Sequence, residues 1–200
     1  MVDHEDDVVQ QFSPEIGDIV IDVGAAFGFY SIVASKKVGK HGRVVAIEPQ
    51  PDSFEMLNKN IKLNNLTNVS TLNHAVSSKK TMLKLYSSYS TVQERAGQNP
   101  LQYIEVSADT LDNLLGQLAI YEANWVKVDV EGAELEVLKG AAGILSKSRN
   151  LALFVEVHSD DLFRPLLELC GSYGLKLQFE KVYENGSSHL LLKKKQGNSE

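Results

Sequence analysis

The sequence predicts an α/β fold, doubly wound around a mostly parallel sheet with an antiparallel C-terminal edge strand. Three observations carry that expectation. Short β-branched runs alternate with helical segments, and several of those runs are apolar on both faces, as central parallel strands covered by helices must be. Near the end, an Asn-Gly pair separates the last two strand candidates. With 200 residues, 43% of them hydrophobic, the chain is long enough for one well-buried core and too short for two ordinary enzyme domains. A single domain over residues 1–200 is expected, with its core at about 17–192.

Taken in order, the strand candidates are DIVIDVG (18–24), GRVVAIE (42–48), NVSTLNHAV (68–76), NWVKVDVEG (124–132) and LALFVEVH (151–158). After Glu48 a helix is expected. Pro51 fits a first turn, Asp52 and Glu55 suit the positive helix end, and Phe54, Leu57 and Ile61 share one face. A later helix should carry Leu135, Leu138, Ala142 and Leu145 as one buried stripe. LLELCGSYG reads as the end of an apolar helix that buries Cys170, a lone cysteine without an internal disulfide partner. LQFEKVY and HLLLK then form a hairpin about Asn185-Gly186, and Lys193 to Lys195 read as a solvated tail. One polar stretch without a period, residues 86–102, interrupts the alternation between TMLKLY and YIEVSA; a substrate-side rim is expected there.

Charge narrows the choice of partners. A net charge of -6 and a pI near 5.4 oppose a nucleic-acid footprint, which needs a basic face. The N-terminus is acidic where a signal peptide would be basic and then apolar, and no apolar run reaches bilayer length. A cytoplasmic protein, off the membrane, acting on a small molecule is the expectation.

In open α/β sheets ligands bind beyond the carboxyl ends of the strands. There the sequence places Asp22, Glu48, Asn73 or His74, Asp129 with Glu131, and Glu156 with His158. Isolated carboxylates are costly to hide, so their gathering at one edge points to a cleft. The first loop, Asp22-Val23-Gly24-Ala25-Ala26-Phe27-Gly28, reads D-x-G-x-x-x-G, not the G-x-G-x-x-G that brings backbone amides to a pyrophosphate. An aspartate there suits a cationic amino group. Gly24 lets the chain turn close to a ligand, and Gly28 leaves room at the helix start. Glu48, about 20 residues beyond the loop, can accept both hydrogen bonds of a ribose diol. A nucleoside carrying an amino acid, such as S-adenosylmethionine, fits these features together.

The segments GDIVIDVGAAFGFYSIVAS, VVAIEPQPDSFEMLNKNIKLNN, LNHAV, DTLDNLL, VKVDVEGAELEVLKGA and LFVEVH, in that order, resemble the FkbM family of class I S-adenosylmethionine-dependent methyltransferases, with a Rossmann-like fold. The resemblance runs from about Gly17 to His158. It implies that Asp22, Gly24, Ala25 and Gly28 form the loop at the methionine end of the cofactor, with Phe27 and Tyr30 nearby. Glu48 would hold the ribose and Pro49 shape the turn behind it. Asn73, His74 and Ala75 would lie beside the adenine, and Asp129 and Glu131 would face the transferred methyl and its acceptor. The product would be S-adenosylhomocysteine.

Methyl transfer from a sulfonium is an in-line displacement, and a hydroxyl acceptor must also lose a proton. Asp129, Glu131 or His158 could take it, His158 having the unperturbed pKa nearest neutrality. Asp129, Glu131, Glu156 and His158 also have the ligand types of a Mg²⁺ or Mn²⁺ site, but no compact ligand motif joins them, and no metal is expected. The expected acceptor is a hydroxyl on a sugar or other small metabolite. N-methylation of RNA or protein, and a non-catalytic nucleotide-binding module, remain open, because fold does not determine function. Family members often carry residues ahead of the core. Without such a cap the acceptor cleft would stay open or depend on a second subunit, as in a homodimer.

Overall fold

The computed structural model describes residues 6–86 and 103–194. The elements are α1 (Asp6–Gln11), β1 (Ile19–Val23), α2 (Phe29–Val38), β2 (Arg43–Ile47), α3 (Pro51–Leu63), β3 (Val69–Leu72), β4 (Ala75–Val76), β5 (Thr81–Tyr86) and β6 (Tyr103–Asp109). They continue with α4 (Leu111–Gly116), β7 (Trp125–Val128), α5 (Glu134–Lys139), α6 (Ala142–Lys147), β8 (Ala152–Val157), α7 (Asp160–Ser172), β9 (Leu175–Val182) and β10 (Ser188–Lys194).

The expected architecture is present. Seven strands form one sheet in the order β3-β2-β1-β7-β8-β10-β9, with parallel pairing from β3 through β8. The closing hairpin makes the antiparallel edge: β10 pairs antiparallel with both β8 and β9, so the last strand lies inside and β9 outermost. Its turn rests on Asn185, whose Oδ1 accepts from the Ser187 amide at 3.0 Å, and on Gly186 at a φ of 82°.

Alternation along the strands sorts the core into two layers. Ile21, Val23, Val45, Ile47, Val126, Leu153 and Val155 face α4 to α7 in the larger cluster. Val20, Val44, Trp125, Phe154 and Leu191 face the other way, onto Phe12 and the small residues of α2. Leu57 and Ile61 of α3 are buried on this second side against Ala46, as their spacing predicts. Cys170 is fully buried in α7, and burial pushes its thiol up to about 12, so it is inert packing.

Some expectations need correction. The third strand candidate is two pieces: β3 stays in the main sheet, while β4 joins a three-stranded sheet, β4-β6-β5. The later helix is likewise broken into α5 and α6. Gly140 packs so closely on the Ser77 carbonyl that a Cβ would come within 2.1 Å of it, and Asp112 accepts from the Gly143 and Ile144 amides at 2.6 and 2.9 Å, starting a new helix there. The buried positions are therefore Val137, Leu138, Ala141, Ile144 and Leu145, while Leu135 and Ala142 are half-buried. Lys193 and Lys194 end β10 and are not tail: Lys193 lies over the Trp125 ring, and the Lys194 ammonium donates to the Ser146 carbonyl. Lys195 lies outside the described residues, as does the expected rim beyond Tyr86, residues 87–102. No described helix is long and apolar enough to cross a membrane.

Candidate active site at the carboxyl edge of the sheet

The loop after β1 is built by close approach. At Gly24, φ is 76° and a Cβ would sit 1.8 Å from the Asp129 carbonyl oxygen, so the loops after β1 and β7 touch backbone to backbone only because Gly24 has no side chain. Gly28, at φ 93°, does the same against the Leu57 side chain, where a Cβ would lie 2.6 Å away. Between them Ala26 is left-handed at φ 46°, a conformation that costs a non-glycine residue about 1–3 kcal/mol and needs outside support. Glu48 supplies it.

Glu48 is 7% exposed and bridges two loops: Oε2 accepts from the Ala26 amide at 2.8 Å and Oε1 from the Gln50 amide at 2.9 Å. Burial pushes its pKa above the ordinary carboxylate value, against the pull of those two amides. Asn73 faces the same turn from behind, its Nδ2 donating to the carbonyls of Glu48 at 2.8 Å and Pro49 at 3.1 Å. Asn73 thus fixes the Glu48-Pro49 backbone, whereas His74 keeps a buried Nδ1 without a hydrogen-bond partner and Ala75 is buried.

Asp22 is 1% exposed and turned inward. Its Oδ2 accepts from the Ser31 hydroxyl at 2.6 Å, and its Oδ1 lies 3.5 Å from the ammonium of Lys127. Lys127 is one of the residues not singled out from the sequence. It is 4% exposed, and its ammonium also donates to the Gly24 carbonyl at 3.1 Å and to Asp129 Oδ2 at 3.2 Å, so one buried cation ties together the first loop, β1 and the end of β7. Asp22 and Lys127 are partners in register across β1 and β7. The Tyr30 ring lies 5.1 Å from the same ammonium; burial, and then Asp129 and Asp22, push its phenol up to about 12 and keep it a neutral donor. Phe27 is 52% exposed at the mouth of the loop.

His158 gathers the acidic residues. Its Nδ1 donates to Oε1 of the fully buried Glu134 at 2.6 Å, and its Nε2 lies 3.4 Å from Glu131, 3.7 Å from Asp129 and 3.7 Å from Glu156. Glu134 above all, outweighing desolvation, pushes the imidazole up to about 9. A pKa held at about 9 leaves His158 charged near neutral pH, which does not suit the proton-accepting role expected of it. Its folded pKa is raised above 6.5, so the stability it contributes is full below pH 6.5 and lost as pH rises through about 9. Thermal melts from pH 6.5 to 9.5 should therefore show a fall of several degrees that His158→Gln removes; parallel curves for the two proteins would refute the imidazolium.

Glu131 holds a left-handed φ of 53°, followed by Gly132 at 100°, and its side chain is 87% exposed. Ligand atoms of Asp129, Glu156 and His158 come within 4.8 Å of one another, a donor set of the type that holds Mg²⁺ or Mn²⁺. A cation there would have to displace the proton from Nε2. The structure thus brings together Asp22, Gly24, Gly28, Tyr30, Glu48, Asp129 and His158 at one edge, and keeps Asn73 to the backbone behind Glu48. It adds Lys127, Glu134 and His189, whose Nε2 lies 3.3 Å from Glu156 Oε2. Lys127 carries no motif signal of its own; strand alternation, which puts it on the side of Asp22, could have found it.

The family model described as "Methyltransferase FkbM domain" matches residues 22–177. Hexuronic acid methyltransferase AglP of Haloferax volcanii is 31% identical over 157 residues, which are 78% of this chain and 63% of that protein. Methyltransferase 1 of Beauveria bassiana is 25% identical over 177 residues, 78% of this chain and 66% of that protein. The chain thus spans less than two thirds of the length of either. A SAM-dependent O-methyltransferase from Thermotoga maritima superposes with a TM-score of 0.61 at 11% identity, over 100% of this chain and 69% of that one. Aeropyrum pernix fibrillarin, solved with natively bound S-adenosyl-L-methionine, gives 0.59 at 11% identity, over 94% and 74%. At such identities the likeness is one of fold.

Proposed function

Because this chain belongs to the FkbM methyltransferase family, we propose that it moves a methyl group from S-adenosylmethionine to a hydroxyl of a small acceptor, a sugar or related metabolite, leaving S-adenosylhomocysteine. One observation carries the reading: Glu48 spans the loops after β1 and β2 while Gly24 keeps the backbone of the loop after β7 against the first loop, making one cradle of three strand ends. That cradle suits the cofactor. Carboxylates predominate along its wall, matching a sulfonium and an ammonium, and Glu48 retains lone pairs for a ribose diol.

In this reading the backbone of Gly24, Ala25 and Gly28, with Phe27 and Tyr30, holds the methionine end. Glu48 and Pro49 hold the ribose, and Asn73, His74 and Ala75 form the adenine side. Bound S-adenosylmethionine supplies the electrophilic methyl and a leaving group that keeps the electron pair of the broken carbon–sulfur bond. The acceptor oxygen forms the new bond, and its proton passes to the carboxylate of Asp129. Glu131 and the His158 imidazolium flank that carboxylate; Lys127 holds its other oxygen. Placing the reactants in line is the main service the chain performs, worth up to roughly 7–11 kcal/mol in favourable models. The relative from Haloferax volcanii, named for a hexuronic acid, supports a sugar acceptor.

Transfer of labelled methyl from S-adenosylmethionine to a panel of sugars and hydroxylated metabolites tests the reading. With an accepted substrate, Asp129→Asn should lower kcat about 10²–10⁴-fold, the range of a lost general base, while S-adenosylhomocysteine affinity by calorimetry moves less than fivefold. Unchanged kcat would remove Asp129 as the base. Failure of the protein to bind S-adenosylhomocysteine at all would overturn the function.

A further inference from the structure

Beside the cradle lies a second cleft of about 470 Å³ that shares only Tyr30 with these cofactor roles. It opens between α1, the first turn of α2 and the β9–β10 hairpin. Its walls include Phe29, Tyr30 and Tyr183, and its polar lining includes Glu156, Asn185 and His189. We propose that this cleft seats the methyl acceptor, and that the acceptor is an uncharged pyranose, not a uronate. The inference rests on the methyltransferase reading and names the substrate class of that site.

Three observations support it. The cleft combines aromatic faces with a few convergent polar groups at a size ordinary for small ligands, the composition that holds a ring with apolar faces and a hydroxylated rim. Phe29 is 59% exposed, a large apolar surface that the fold itself leaves uncovered. Third, the cleft meets the proposed reacting end of the cradle through Tyr30 and Glu156, both in its lining. Glu156 lines it and stands 3.7 Å from His158, whose other neighbours are Asp129 and Glu131. Carboxylate oxygens of Glu156 and Asp129 come within 4.8 Å of each other, so a hydroxyl held by Glu156 would be within reach of Asp129. His189, in register opposite Glu156 on β10, holds the second carboxylate oxygen at 3.3 Å and serves as a positioning residue.

Charge decides between a neutral sugar and a uronate. Asp129, Glu131, Glu134 and Glu156 surround His158; the nearest ammonium, Lys127, is already paired with Asp22 and Asp129, and on the cleft side the Lys181 ammonium lies 5.9 Å from the Tyr183 ring. Carboxylates outnumber cations, so an acceptor carboxylate would meet repulsion where the cofactor's positive charge meets attraction. A neutral ring avoids the repulsion and offers hydroxyl donors to Glu156.

The test uses the full chain saturated with S-adenosylhomocysteine, titrated by ligand-observed NMR with methyl glycosides of gluco, galacto and manno configuration, each beside its uronate counterpart. At least one neutral glycoside should bind at least tenfold more tightly than its uronate. Phe29→Ala and Tyr183→Ala should each weaken it tenfold or more, with S-adenosylhomocysteine affinity changed less than threefold and melting temperature retained. Glu156→Gln, which removes one carboxylate, should narrow the gap between glycoside and uronate. Absence of binding by every neutral glycoside, a uronate bound as tightly, or binding untouched by both aromatic variants would overturn the proposal. Loss of S-adenosylhomocysteine binding in the unmodified protein would overturn the donor reading beneath it.

Discussion

Lys127→Met is expected to destabilise the fold by about 3–5 kcal/mol, the cost of stripping one partner from a buried ion pair. The reason is local and specific. Asp22 is 1% exposed, its Oδ1 has no hydrogen-bond partner and only the Lys127 ammonium, at 3.5 Å, offsets its charge. Without that cation the Asp22 carboxylate stays in an apolar layer beside Val20 and Trp125 with its charge unpaired. Denaturant melts of Lys127→Met, Asp22→Asn and the double variant provide the check. The double variant should regain a large part of the loss, because a neutral amide can keep the Ser31 hydroxyl without needing a counter-charge. Strict additivity would mean that Asp22 and Lys127 are not coupled.

Glu48→Ala carries the second large effect, on binding. Each oxygen of Glu48 holds one backbone amide, at Ala26 and at Gln50, and is the proposed acceptor for one ribose hydroxyl. Removal deletes two hydrogen bonds to a charged group and releases the left-handed Ala26, so S-adenosylhomocysteine affinity should fall by about 2–4 kcal/mol, or roughly 30- to 1,000-fold. Stability should fall less than in Lys127→Met. The carboxylate is held with a raised pKa, so its own contribution is full only below its unfolded value and is lost as pH rises through the folded one; at neutral pH its ionisation opposes folding. Calorimetric titration with the nucleoside, alongside melts at pH 7, separates the two effects. Retained affinity would remove Glu48 from the ribose.

Much of this was legible in order along the chain. The alternation of β-branched runs with amphipathic segments gives the sheet and its two helical layers, because side-chain period is a local property. Gly24 and Glu48 were legible for the same reason: a glycine after a strand and an acid at the end of the next are set by position in the motif. Strand breaks were not. NVSTLNHAV is continuous in β propensity, yet β4 leaves the sheet to pair with β6, a choice made by strands that begin only at Tyr103. The break between α5 and α6 has the same origin in Asp112, on a different helix.

The sequence by itself determined the fold class, the gathering of acidic residues at the carboxyl edge of the sheet and the residue types there that suit a cationic nucleoside. Tertiary structure alone decided how those residues are charged and what they face. Register across β1 and β7 sets Lys127 opposite Asp22, and register across β8 and β10 sets His189 opposite Glu156, pairings between residues far apart in the chain. Glu134 reaches His158 from the start of α5 and turns the expected base into an imidazolium. Electrostatic energy depends on separation in space and on burial, neither of which is written in sequence spacing.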